Sequence, residues 1–589
     1  MDTVYLNRLL VTVLAAVLVA AGCSTHQSGD DQTISSNQPT IPIHTETKRK
    51  PAKLSPEQET TVADKRIVAE EAVARHAKHK LLQSSLHSTQ APAGAMLSAE
   101  LDAIRVPREP LDRENYAHFD DNPIKRVAEH PVSTFSIDVD TGAYANVRRF
   151  LQAGRLPVHD AVRVEEFINY FAYDYPTPAD SRRPFSVTTE IAPAPWSAGR
   201  HLLQIGIKGY DITKQALPPA NLVFLIDVSG SMRAPNKLEL LKTSLKLLTR
   251  ELDKEDRISI VVYAGASGVV LEPVPGNATG KIIAALDSLT AGGSTNGGAG
   301  IRLAYAMAEQ AFMPNGINRV LLATDGDFNV GTVSFEALKN LIEEKRKTGI
   351  SLTTLGFGTG NYNDHLMEQA ADAGNGNYAY IDTLNEARKV LVEELSSTMH
   401  TIAKDVKIQI EFNPAVVAEY RLIGYENRVL KREDFDNDKI DAGEIGAGHT
   451  VTALYEVVLQ GSSALRLKPL RYPTREQSGT TRAEELAFLR VRYKLPGSNK
   501  SALMEWALHK RDMLADIAQT SDDFRFSAAV AAFGQMLRGA KYTDEMSYGD
   551  IVVLARNARG HDRFGYRGEF VQLVNLAQAL AEPSKQARR

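Results

Sequence analysis

The stretch Asn221-Leu222-Val223-Phe224-Leu225-Ile226-Asp227-Val228-Ser229-Gly230-Ser231-Met232 decides the fold of this chain. Five successive apolar residues without polar alternation mark a strand covered on both faces, as in a parallel sheet between helices. The run ends in an acid, then places two serines at alternate positions. A helical pattern follows over 237–252, with Leu238, Leu241, Leu245 and Leu248 on one face. Residues 257–263 (RISIVVY) and 319–324 (RVLLAT) repeat the buried-strand pattern, and the second runs into Asp325-Gly326. Further helices are expected at 281–289, 299–312, 335–348, 363–373 and 384–399, and strands at 350–357 and 378–381. Strands alternating with helices imply an α/β, doubly wound, Rossmann-like sheet.

Ligands of such sheets bind beyond the carboxyl ends of the strands, where the strand order reverses. Asp227, the loop Gly292-Gly293-Ser294-Thr295-Asn296-Gly297-Gly298 and Asp325 all fall on that side. Asp, Ser and Thr offer only oxygen, which suits a hard divalent cation (Mg²⁺, Mn²⁺ or Ca²⁺) and suits Zn²⁺ poorly. With at most two carboxylates against a doubly charged ion, the site stays electrophilic. A carboxylate from another molecule is then a natural further ligand.

Asp227-x-Ser229-x-Ser231, then Thr295, then Asp325, resembles the metal-ion-dependent adhesion site of von Willebrand factor type A domains. The resemblance spans 218–400 and implies that these five residues hold the metal, Mg²⁺ foremost. Ser294 is the alternative loop ligand to Thr295. Gly356-Phe357-Gly358-Thr359-Gly360 and Gly374-Asn375-Gly376-Asn377-Tyr378 resemble the last strands of that family.

Composition narrows the function further. The 589 residues carry 68 Lys+Arg against 72 Asp+Glu, a net charge of -4, without the basic excess of a nucleic-acid binder. One cysteine excludes a disulfide scaffold. The longest apolar run, 9–22, is too short to span a bilayer but fits a secretory signal. It ends in Ala20-Ala21-Gly22-Cys23, which resembles a bacterial lipobox with Ala20 where Leu is usual. The resemblance implies cleavage before a lipidated Cys23 and attachment to a membrane surface without spanning it. Ser24 in the next position leans towards the outer membrane of a diderm host. Residues 23–107 then read as a disordered tether with one stretch, 57–86, of helical composition. His76 and His79 within it lack a carboxylate or Cys partner for a metal.

Around the central domain the pattern changes. Residues 108–182 read as an α+β region with an aromatic cluster at Tyr170, Phe171, Tyr173 and Tyr175, assigned to core packing. Strand patterns at 183–217 and 401–496 suggest a β-sandwich into which 218–400 is inserted. Residues 497–589 are expected to be helical, including 503–517. This order resembles the YfbK type of bacterial lipoproteins, whose resemblance brings no defined biochemical activity. Two near-motifs fail: Gly276–Lys281 is a residue short of a phosphate loop, and the 434–438 run of acids lacks the Gly and Glu of a calcium loop. Asp138-x-Asp140-Thr141-Gly142 echoes the adhesion motif but reads as a turn.

The resulting expectation is a non-enzymatic, lipid-anchored envelope protein. Its cation captures an Asp or Glu of a protein partner, in metal-dependent protein–protein interaction or envelope assembly. The alternatives are a metal-dependent hydrolase using Asp325 and Asp327, and a scaffold in which the ion only stabilises loops.

Overall fold

The computed structural model describes residues 114–180, 182–326, 334–471, 482–543 and 546–586. The signal segment, Cys23, the tether with His76 and His79, and Asp327 lie outside them.

The central sheet runs in the order Tyr378–Ile381, Ser351–Phe357, Ile317–Thr324, Ala220–Asp227, Arg257–Tyr263, Ser267–Pro275. All neighbours are parallel except the last, an antiparallel edge strand absent from the sequence reading. Ala220–Asp227 is central because both of its faces are apolar. Leu222, Phe224 and Ile226 pack beneath the helix Leu240–Thr249 and the segment 384–399. Val223 and Leu225 pack with Ile301, Ala304 and Tyr305 of Gly297–Gln310 and with Leu338 and Ile342 of Phe335–Lys347. The chain leaves this strand towards Arg257–Tyr263 on one side and later returns to Ile317–Thr324 on the other. Asp227 therefore ends its strand at the switch point.

The sandwich is present, with the central domain between two of its strands. One sheet holds Lys125–Arg126, Val417–Ile423, Thr450–Leu459, His201–Gly209 and Phe185–Pro193, all antiparallel. The other holds Gly443–Gly446, Thr401–Phe412, Glu485–Lys494 and Ser501–His509, with Val132–Ser136 also paired to Thr401–Phe412. His201–Gly209 enters the central domain from the first sheet, and Thr401–Phe412 leaves it into the second. Phe135, Ile205, Ile408, Ile410, Tyr455 and Leu489 fill the space between the sheets.

One expectation fails here. Residues 503–517 are not an α-helix: Ser501–His509 is an edge strand along Glu485–Lys494, and after two single 3-10 turns α-helix resumes at Asp522–Leu537. Ala, Leu, Met and Glu are good helix formers, but pairing with an existing sheet edge outweighs that weak local preference.

Asp522–Leu537, Tyr548–Asn557 and Tyr566–Gln586 do not form a separate unit. They share one core with the helices Gly142–Gln152 and Val164–Asn169 and the outer face of the first sheet. Phe171 stacks edge-on against Phe526 and Phe570, with ring centroids 4.9 and 5.7 Å away. Tyr170, Phe171, Tyr173 and Tyr175 are all buried, as packing residues should be. No helix of the described residues is long and apolar enough to cross a membrane.

Candidate metal centre

The turn after Ala220–Asp227 is built on the Asp227 carboxylate. Its Oδ1 accepts the Ser229 N–H at 2.8 Å, which curls the chain back over the strand end. Its Oδ2 accepts the Thr324 hydroxyl at 2.9 Å and the Tyr263 hydroxyl at 3.3 Å, one from each flanking strand. Asp227 is fully buried, and burial, with the nearby charge of Asp325 adding to it, pushes its carboxyl up to about 6. A carboxylate so placed gains from a cation beside it. Ser229 and Ser231 bring their hydroxyl oxygens within 2.9 Å of each other. Ser229 is buried, whereas Ser231 faces solvent.

Backbone hydrogen bonds bring in the glycine-rich loop. Gly292 N–H donates to the Val228 carbonyl at 2.8 Å, and Gly230 N–H donates to the Gly293 carbonyl at 3.0 Å. Ser294 and Thr295 follow directly, Ser294 exposed with its hydroxyl over Gly265 and Thr295 half-buried. Asp325 is buried one residue beyond Thr324. All five residues expected from the sequence thus lie at the carboxyl end of the sheet, Asp227 and Asp325 at or just past strand ends and Ser229, Ser231 and Thr295 on the loops beyond. Two carboxylates and three hydroxyls form a hard, oxygen-only set that fits a divalent cation. These residues would hold the ion, and the ion when bound would offer a Lewis-acidic position to an anionic group. Asp327, needed for the hydrolase alternative, lies outside the described residues.

The sequence reading missed three members of this site. Thr324 and Tyr263 orient Asp227. Lys237, buried in the turn that opens the next helix, donates to Asp325 Oδ2 at 2.8 Å and to Asn361 Oδ1 at 3.0 Å. A signal for Lys237 was available: a cation at a helix start opposes the macrodipole and needs a reason to be there. The other acidic motifs have protein partners. Asp138 receives Arg428 at 3.0 Å, and Asp140 accepts the Tyr378 N–H at 2.8 Å. Asp436 and Asp438 of the failed calcium loop face Arg492 at 3.3 and 3.0 Å.

The family profile "von Willebrand factor type A domain" matches residues 221–394, "von Willebrand factor" matches 110–204, and "Uncharacterized protein YfbK, C-terminal" matches 397–580. "Uncharacterized protein YfbK" of Escherichia coli (strain K12) is 47% identical over 527 residues, covering 88% of this chain and 90% of that protein. The chain belongs to the YfbK family. Human inter-alpha-trypsin inhibitor heavy chain H3 is 28% identical over 184 residues, covering 29% of this chain and 20% of its own. Among solved structures, a von Willebrand factor type A protein from Catenulispora acidiphila is 14% identical, with a TM-score of 0.37. It covers 67% of this chain and 91% of that one. In the YfbK family frame, the amino- and carboxy-terminal profile matches cover most strands of the sandwich as well as helices of the core packed on its outer face.

Proposed function

We propose that this YfbK-family chain is a cell-envelope protein, held on a membrane by lipid at Cys23, that captures an acidic side chain of a protein partner through a divalent cation. Asp227, Ser229, Ser231, Thr295 and Asp325 hold the ion, Mg²⁺ foremost. The convergence of Asp227, Ser229 and Ser231 with the 292–295 loop supports this reading, because it joins buried charge to exposed hydroxyls at the molecular surface. A buried acid pair alone would serve stability; the exposed Ser231 and Ser294 give the site access to a partner.

Calorimetric titration of residues 24–589 with Mg²⁺, Mn²⁺ and Ca²⁺, beside Asp227→Ala, tests it. Saturable binding lost in the variant is expected. An ion at a hundred times its Kd should stabilise the fold by about 2.7 kcal/mol, read as a raised melting temperature. Partner capture from envelope extracts should be lost on chelation; capture that survives chelation refutes the mechanism.

A further inference from the structure

Among the described residues, the ammonium of Lys237 works against a metal at this centre. Its side chain is 7% exposed, and that of Asp325 is fully buried. The backbone goes out of its way to place it. Within the turn Pro235–Glu239, Lys237 adopts φ -118° and ψ -105°, outside helical geometry. Its aliphatic stem lies along Gly358, where φ is +77° and a Cβ would come within 2.3 Å of Lys237 Cε and 2.4 Å of Cγ. Only glycine leaves that channel open. The channel delivers the ammonium to Asp325 Oδ2 and Asn361 Oδ1 and not to solvent.

The charge balance gives the consequence. Among the described residues, Asp227 and Asp325 with Lys237 leave the centre with one net negative charge, since the hydroxyls are neutral. A divalent ion carries the loaded centre to one net positive charge. One further carboxylate neutralises it. Without the lysine, ion and protein would neutralise each other, and an external carboxylate could fill an open coordination position but would not be required by charge.

Resting on the cation reading above, we infer that Lys237 is a positioning and charge-setting residue of the centre. By holding one oxygen of Asp325, it weakens the site for a divalent ion alone. Ion capture then depends on an anionic group arriving with the ion. Ion and carboxylate bind cooperatively, and by linkage each raises the affinity of the other equally. This is a selectivity device: the site stays weak at ambient metal until an acidic ligand completes it.

The test is titration with Mn²⁺ in sodium chloride and in sodium acetate of equal ionic strength. The full soluble chain, Lys237→Met, Asn361→Asp and Asp227→Ala are compared, each checked for folding by circular dichroism. The native chain should bind Mn²⁺ more tightly in acetate. Lys237→Met should tighten binding in chloride about tenfold or more, the low end for close charge pairs, and lose most of the acetate gain. Asn361→Asp keeps the lysine and its packing but gives it a carboxylate of its own. It should shift affinity in the same direction, and it carries the test if Lys237→Met does not fold. Affinity in chloride within about twofold of native in the folded variants, or an undiminished acetate gain, overturns the inference while leaving the cation site standing. If the native chain and both variants bind no better than Asp227→Ala in either salt, the cation reading fails and the lysine's role with it.

Discussion

Arg148→Met should be strongly destabilising, because Arg148 ties three parts of the chain together. It lies on Gly142–Gln152 and is 2% exposed. Its Nε and one terminal nitrogen grip Asp382 at 2.7 and 2.5 Å. The same terminal nitrogen reaches Glu386 at 2.7 Å, and the other meets the Tyr170 hydroxyl at 2.9 Å and Glu569 at 3.1 Å. Asp382 and Glu386 follow the last strand of the central domain, and Glu569 belongs to the final helix, Tyr566–Gln586. The Asp382 and Glu386 side chains are 4% and 0% exposed, so methionine would leave two carboxylates in a dry interface. Removing one partner of a buried pair costs about 3–5 kcal/mol, because the remaining charge stays desolvated. Urea unfolding followed by circular dichroism measures the loss, and hydrogen exchange should place the loosening at 142–152, 378–388 and 566–570. Burial already raises the Asp382 carboxyl, with Arg148 opposing. The orphaned Asp382 can therefore take up a proton, and the loss should shrink towards pH 5. Arg148→Met with Asp382→Asn and Glu386→Gln should recover at least half of it. Arg182→Met is the control: its pair with Asp180 sits at the surface, with the arginine 87% exposed, and its loss should not move the midpoint. A loss under about 1 kcal/mol, or a triple variant no better than the single one, would refute the reasoning.

Three further outcomes are expected. Burial pushes the Glu368 carboxyl up to about 8 from 4.5, against the opposing charges of Arg163 and Arg428 and with Asp372 and Glu166 adding to the rise. The folded state thus holds this proton more tightly than the unfolded one. Its contribution is fully present below about pH 4.5 and is lost as pH rises through 8, so melting temperature should fall between pH 6 and 9. Glu368→Gln should flatten that slope, and an unchanged slope counts against it. Gly358→Ala should cost about 1–2 kcal/mol for the left-handed backbone alone and displace Lys237, measured by urea unfolding and by Mn²⁺ affinity. Cys23→Ala should move the protein from the membrane fraction to the soluble one and abolish incorporation of labelled palmitate; retention in the membrane fraction would sink the lipid-anchor proposal.

Much of the central domain was legible because its signals are local. A strand buried on both faces must be apolar at every position, so 222–226 announces itself, and the acid and serines that follow are contiguous with it. The helix at 240–249 carries its face in its own spacing. The strand 501–509 was not legible, since its composition favours a helix and its partner edge, 485–494, exists only after folding. The joint core of the two flanking regions was hidden for the same reason: Phe171 and Phe526 each look like an ordinary core residue until the sandwich brings them within 4.9 Å.

The sequence alone determined which residue types could hold an ion and which side of the sheet they occupy, because strand polarity and the order of connections follow from local pattern. Tertiary structure alone decided how that centre is charged. Lys237 meets Asp325 across 88 residues and Arg148 meets Asp382 across 234. An ion pair depends on distance and burial, which no spacing along the chain encodes.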